Sequence, residues 1–248
     1  GDATSFFLYG WWRGFSASSP NGITHGLFKD PDFAQAWVDR WVALRRSGQP
    51  LNTANVNALL DNYEQQQFPT GSTKNPALRN IAKWPSVNAP RNGSFQAETT
   101  IMRDWLTTRF SWIDGRLLST PVPDVVAGPT PGPITLTAAD LTGVAKIYYT
   151  LDGTDPRAAG GAVAGTAIEY TGPAAISGHK VFKARLFKSD EATFDFTNLS
   201  TRMTQWSGLL ETYYFNDAVP AAAGNLVVSE LMYHPADPTP AEITAGYL

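Results

Sequence analysis

Residues 119 to 133 read STPVPDVVAGPTPGP, five prolines and two glycines in fifteen positions. No helix interior and no central strand tolerates that density, because each proline removes a backbone donor and fixes φ. The stretch divides the chain, as an extended linker or as a linker running into an edge strand. What lies on its two sides repeats its apolar residues with different periods, near four before it and two after it.

Before the divide the signals are helical. Asp30 followed by Pro31 is an N-cap with proline at the first helical position. Phe33, Trp37, Trp41 and Leu44 then form one apolar stripe, ending in Arg45 and Arg46, cations that suit the end of a helix dipole. A second helix starts at Thr53, with Val56, Leu59, Leu60 and Tyr63 on one face. A third is capped by Asn75, takes Pro76 at its first position and stops before Pro85. The fourth is capped by Ser94 and carries Ile101, Trp105 and Trp112 to a stop at Gly115.

After the divide, ITLTA, KIYYTL, AIEYT and HKVFKARLF alternate and are separated by Gly- and Pro-rich turns. That is the pattern of a small antiparallel β-sandwich of immunoglobulin or fibronectin-like type. In KVFKARLF, Phe182, Ala184 and Leu186 are expected in the core, with Lys183, Arg185 and Lys188 facing solvent. The pattern resumes near Trp206. The expected organisation is multidomain α plus β. An all-α region spans 1–118, a linker 119–133, the sandwich 134–209, a second linker 210–225, and the start of another domain 226–248. Since a lone strand cannot bury its face, the chain reads as cut at both ends.

Composition narrows the function. The absence of cysteine removes disulfides, thiolate metal sites and cysteine nucleophiles. Residues 1–120 carry 12 Lys+Arg against 9 Asp+Glu, and 121–248 carry 7 against 13, so the net −3 conceals a basic half and an acidic half. Nothing there suits nucleic acid, whose phosphates need clustered cations. No apolar run is long enough to cross a membrane as a helix.

IYYTLDGTDPR, residues 147–157, sets Asp152 and Asp155 about a glycine. A calcium loop needs further oxygen ligands and a closing glutamate, whereas RAAGGAVAG follows. Asp-Gly and Asp-Pro are turn signals, so both aspartates are assigned to a turn. His25, His179 and His234 have no metal-ligand spacing, and GGAVAG at 160–165 lacks the lysine and context of a phosphate loop. Trp37 and Trp41 sit at core spacing, while one of the adjacent Trp11 and Trp12 is expected at the surface. As a sugar platform, Trp206 has only Tyr148, Tyr149 and Tyr170 to join it. No catalytic, cofactor-binding or metal-binding residue is assigned.

Three resemblances attach to these segments. LFKDPDFAQAWVDRWVALRR, RNIAKW and IMRDWLTTRFSWID together resemble the C-terminal helical part of the CotH kinase-like family, related to spore coat protein H. IYYTLDGTDPRAAGG, EYTGP and VFKARLF resemble the small sandwich at the C-termini of chitobiases and β-hexosaminidases. LVVSELMYHPADP resembles the opening of a lamin-tail domain. Together they imply part of a large secreted bacterial protein, placed outside the cell or at its surface. Its partners would be other domains of the parent chain and surface protein or carbohydrate.

For a kinase parent the resemblance implies ATP and Mg²⁺, held by aspartates. The expected Trp-Asp pair is missing here, and Asp2 has no second carboxylate beside it. The expectation is therefore a piece without catalysis of its own, from a kinase-like parent. The alternatives are a structural or adhesive protein with a degenerate kinase-like region, or a carbohydrate-associated module.

Overall fold

The computed structural model describes residues 27–69, 75–85, 94–129, 132–191, 201–215 and 239–244. Asp2, Trp11, Trp12, His25, His234 and the segment resembling a lamin tail lie outside them. By its contacts the chain forms two compact units, Gly1–Asn216 and Asp217–Leu248.

In the first unit, α1 spans Pro31–Arg45, α2 Thr53–Gln67, α3 Pro76–Lys83 and α4 Phe95–Asp114. Side-chain caps start each of them. Asp30 accepts from the Asp32 amide, Asn52 from Ala54, Asn75 from Leu78 and Ser94 from Ala97. Each cap satisfies one of the amides that a helix start leaves without a partner.

The strands are β1 Val122–Pro123, β2 Gly128–Pro129, β3 Leu136–Thr137, β4 Lys146–Thr150, β5 Ile168–Glu169, β6 Lys180–Phe187 and β7 Leu210–Phe215. β1 and β3 make a two-stranded sheet, and the other five are ordered β2-β7-β6-β4-β5. All pairings are antiparallel except β2 on β7, which is parallel. The Pro/Gly stretch thus supplies two short strands, β2 at the edge of the larger sheet, where its proline does not interrupt a ladder. Residues 210–215, expected in a linker, form β7 beside the central β6. Their alternation of Leu210, Thr212 and Tyr214 against Glu211 and Tyr213 is obscured by the buried threonine. In the second unit the described element is a short helix, α5, at Pro240–Thr244.

One core lies inside the sandwich, built from Ile134, Leu136, Ile147, Phe182, Ala184, Leu186 and Tyr214. A smaller one lies between α1 and the loops, built from Val38, Leu117 and Met203 with Trp37, Trp41 and Val42 against it. Leu117 enters the second and Leu118 the first, so two adjacent residues just beyond α4 tie both together.

The helical stripes differ from the pattern read in the sequence. On α1 the most buried residues are Ala34, Gln35 and Val38, while Phe33 is exposed and Trp37 and Trp41 are half-buried. α1 serves two neighbours: the tryptophan side packs Trp41 edge-on against Phe110 of α4, and the other side meets the sandwich. On α4, Phe110 and Ile113 are buried and Ile101 is half exposed; on α2, Leu59 and Tyr63 are exposed.

Candidate functional site

The place where α1 meets the sandwich holds Arg185, the most deeply buried charged residue among those described. Alternation puts Phe182, Ala184 and Leu186 on the inner face of β6, each fully buried. Arg185 is therefore on the outer face, where solvent was expected. Instead its side chain is only 2% exposed, because α1 and the Asp-Pro turn cover that face.

Every donor of Arg185 is used. Nε and Nη2 donate to Asp155 at 2.7 and 2.6 Å, and Nη1 and Nη2 to Asp39 of α1 at 2.6 and 2.8 Å. Nη1 also donates to the Ser207 carbonyl at 2.9 Å. Five N–H groups thus meet five acceptor contacts, which is what makes a buried guanidinium tolerable. Burial disfavours the charge of Arg185, but the two carboxylates outweigh it and its pKa is raised. Asp155 behaves in the same way: burial raises its pKa, and Arg185, the Arg157 amide and Lys183 together bring it below the ordinary value.

The pair of aspartates that marked the sequence is thereby separated into two jobs. Asp152 shapes the turn: its Oδ1 accepts from the Thr154 amide at 3.0 Å and the Thr154 hydroxyl at 2.6 Å, chiefly the latter lowering its pKa. Gly153 takes the positive φ of 79° that the turn requires. Asp155 accepts from the Arg157 amide, as expected of a turn residue, and also holds Arg185. The turn is confirmed; the ion triad was not legible.

Further ties surround it. Asp32, in the first turn of α1, pairs with Arg157 at 2.6 Å and accepts from the Gly160 amide. The GGAVAG stretch is thus a loop, as expected, and its start docks on α1. Leu209 donates its amide to Asp39 at 3.1 Å, and Arg46 donates to the Leu209 carbonyl at 2.6 Å. Gly208 sits where an added Cβ would lie 2.8 Å from Val42 Cγ2. Arg202 pairs with Asp140 at 3.0 Å and donates to the Leu117 carbonyl behind α4.

The aromatic residues considered as a sugar platform are tied into the sandwich. Trp206 is 2% exposed and donates Nε1 to the Gly161 carbonyl at 2.7 Å. Tyr148 leans on Phe187 and Trp206, Tyr149 stacks on Phe182, and Tyr170 accepts the Leu136 amide. Trp37 and Trp41 stack with ring centres 5.7 Å apart, and Trp41 donates to Asp114. His179 is exposed in a turn. No group of three or more His, Asp or Glu that could hold a metal occurs among the described residues. No helix of the described residues is long and apolar enough to cross a membrane.

The depressed pKa of Asp155 has a consequence for stability. A carboxyl held below its unfolded value, about 3.9 for Asp, adds stability above that value and loses it as pH falls through the folded one. The urea midpoint is therefore expected to decline on acidification below about pH 4, and Asp155→Asn to flatten that decline. An unchanged slope in the variant would show that other carboxylates govern it.

Residues 134–200, covering β3 to β6, match the family described as Fn3 associated. No curated protein and no solved structure matches the chain.

Proposed function

We propose that the helical region and the sandwich act together as a rigid, non-catalytic connecting module of a secreted multidomain protein. The Arg185 triad carries this reading: one buried cation is shared by Asp39 of the helical side and Asp155 of the sandwich side. A hinge between two independent modules would not bury such a charge across the boundary, because each opening would strand it. The Fn3-associated match supports an extracellular setting.

In this reading the helices are the end of a kinase-like lobe of the CotH type. The sandwich is the module trailing it, of chitobiase or β-hexosaminidase type, and 226–248 opens a lamin-tail-like domain. The module presents other domains of its parent to protein or carbohydrate at the cell surface. Five of the described carboxylates are committed to structure: Asp32 to Arg157, Asp39 and Asp155 to Arg185, Asp114 to Arg45, Asp140 to Arg202. No catalytic step is placed on them.

The test is equilibrium unfolding of the full chain. Tryptophan fluorescence reports mainly the helical side, since seven of eight tryptophans precede residue 120. Methyl NMR signals of Ile147 and Leu186 report the sandwich core. Coincident transitions are expected, and Mg²⁺–ATP should leave the melting temperature unchanged. Two separate transitions would overturn the rigid module. A reproducible rise with nucleotide would place a binding site on this chain, because only a ligand that prefers the folded state raises it.

A further inference from the structure

Three Asp–Pro bonds occur in the chain, at residues 30–31, 155–156 and 237–238; the last lies outside the described residues. Such a bond is where a polypeptide yields first in acid. The aspartyl carboxyl can close on the carbon of its own peptide carbonyl, forming a five-membered ring. Proline leaves readily because its amide is tertiary. Asp155–Pro156 sits inside the triad, which ties this chemistry to the fold.

The two described bonds are held very differently. Asp30 and Pro31 are both exposed, and Asp30 Oδ1 accepts the Asp32 amide at 2.8 Å. Asp155 gives both oxygens to Arg185, at 2.7 and 2.6 Å, and its Oδ1 also accepts the Arg157 amide at 2.9 Å. Pro156 is fully buried. The charged groups around Asp155 work in one direction. From β6 come Arg185 and Lys183, which favour the ionised carboxylate, as does the Arg157 amide of its own turn. From α1 comes Asp39, which shares Arg185 and keeps the guanidinium in place.

A carboxylate bound in this way cannot attack until it gives up its charge-assisted hydrogen bonds. Burial of Pro156 adds a second barrier, since it shields the bond from the acid that must protonate the leaving nitrogen and from the water that completes the reaction. Asp30–Pro31 has neither protection.

We propose that Asp155–Pro156 is a latent acid-scission site, closed by Arg185 while the sandwich is folded and opened when the triad lets go. In the open state an Asp155 carboxyl oxygen bonds to the Asp155 carbonyl carbon, and the C–N bond to Pro156 breaks. The proline nitrogen takes a proton from the medium and leaves as a secondary amine. Water then opens the cyclic anhydride, so the net change is hydrolysis of one peptide bond with Asp155 as the new C-terminus. The cut falls between β4 and β5, inside the larger sheet, and it makes acid unfolding irreversible with time. This holds whatever the chain connects, since it concerns the sandwich and its turn.

The experiment is mass spectrometry of the full chain, incubated at the lowest pH that retains its near-ultraviolet circular dichroism, with and without urea. For each bond, the rate of cutting without urea is divided by the rate with it. The ratio for Asp155 is expected to lie roughly tenfold or more below that for Asp30, because charge-assisted hydrogen bonds must first be released. Arg185→Met, checked for retained circular dichroism, should bring the two ratios together by raising the one for Asp155. Where that variant does not fold, the comparison of the two bonds in wild type decides alone. Asp155→Asn should stay whole at this bond even in urea, since it lacks the attacking carboxyl. The proposal fails if both bonds are equally protected in wild type, or if folded Arg185→Met keeps the wild-type ratio. It fails equally if the Asp155 bond survives in urea, or if Asp155→Asn is cut there at the wild-type rate.

Discussion

Arg185→Met is expected to lower the unfolding free energy by about 3 kcal/mol, the low end of the range for breaking a buried ion pair. Methionine fills much of the same space, so the loss comes from stranding Asp39 and Asp155 rather than from a void. The low end applies because those carboxylates are 31% and 37% exposed and regain some water. In urea, with a slope of about 2 kcal/mol per M, the midpoint should fall by roughly 1.5 M. Arg185→Lys should fall between wild type and methionine, since one ammonium cannot reproduce two bidentate pairings. A methionine variant within about 0.5 kcal/mol of wild type, the range typical of surface substitutions, would show that the triad is a solvated surface feature.

Gly208→Ala is the second large effect, at about 1–3 kcal/mol for overpacking. The new methyl would sit 2.8 Å from Val42 Cγ2, 2.9 Å from Val42 Cβ and 3.0 Å from Thr120 Oγ1. Val42 cannot step aside easily, being β-branched and held in α1. The clash forces helix and sandwich apart, which also lengthens the Asp39 contact with Leu209 next in sequence. Val42→Ala removes Cγ2 but keeps Cβ at 2.9 Å, so the double variant should recover only part of the loss relative to the sum of the two single variants. Additivity in that cycle would place the cost of Gly208→Ala on Val42 Cβ, Thr120 or the backbone rather than on the valine methyl.

Local chemistry was readable and distant chemistry was not. Asp30, Asn75 and Ser94 were identifiable as caps because a cap is decided within three or four residues of chain. The Asp-Gly turn and the inward set of β6 followed for the same reason, a short period and a short range. The burial of Arg185 could not be read, since Asp39 stands 146 residues away and alternation says only that the side chain leaves the core. What covers the outer face of a sheet is not written in the strand.

The same limit explains α1, whose aromatic stripe stood out while its small side, Ala34 with Val38, met the sandwich. An alanine carries little weight in a hydrophobic pattern, yet it lets two elements approach closely. Gln35 escaped notice on the same grounds: a polar residue beside an apolar stripe reads as a boundary, and its role depends on Ser207 far along the chain. β7 was missed because Thr212 stands at an inward position where an aliphatic residue would have completed the alternation.

The surface that α1 covers includes Arg185, held by Asp39, and Gly208, which faces Val42. Pulled apart, the two bodies would uncover a mixed surface, the hydratable ion triad beside the apolar Ala34, Val38 and Val42 of α1. Separation under mechanical load would then strand the triad's charges and wet its apolar neighbours together, so both terms favour rejoining.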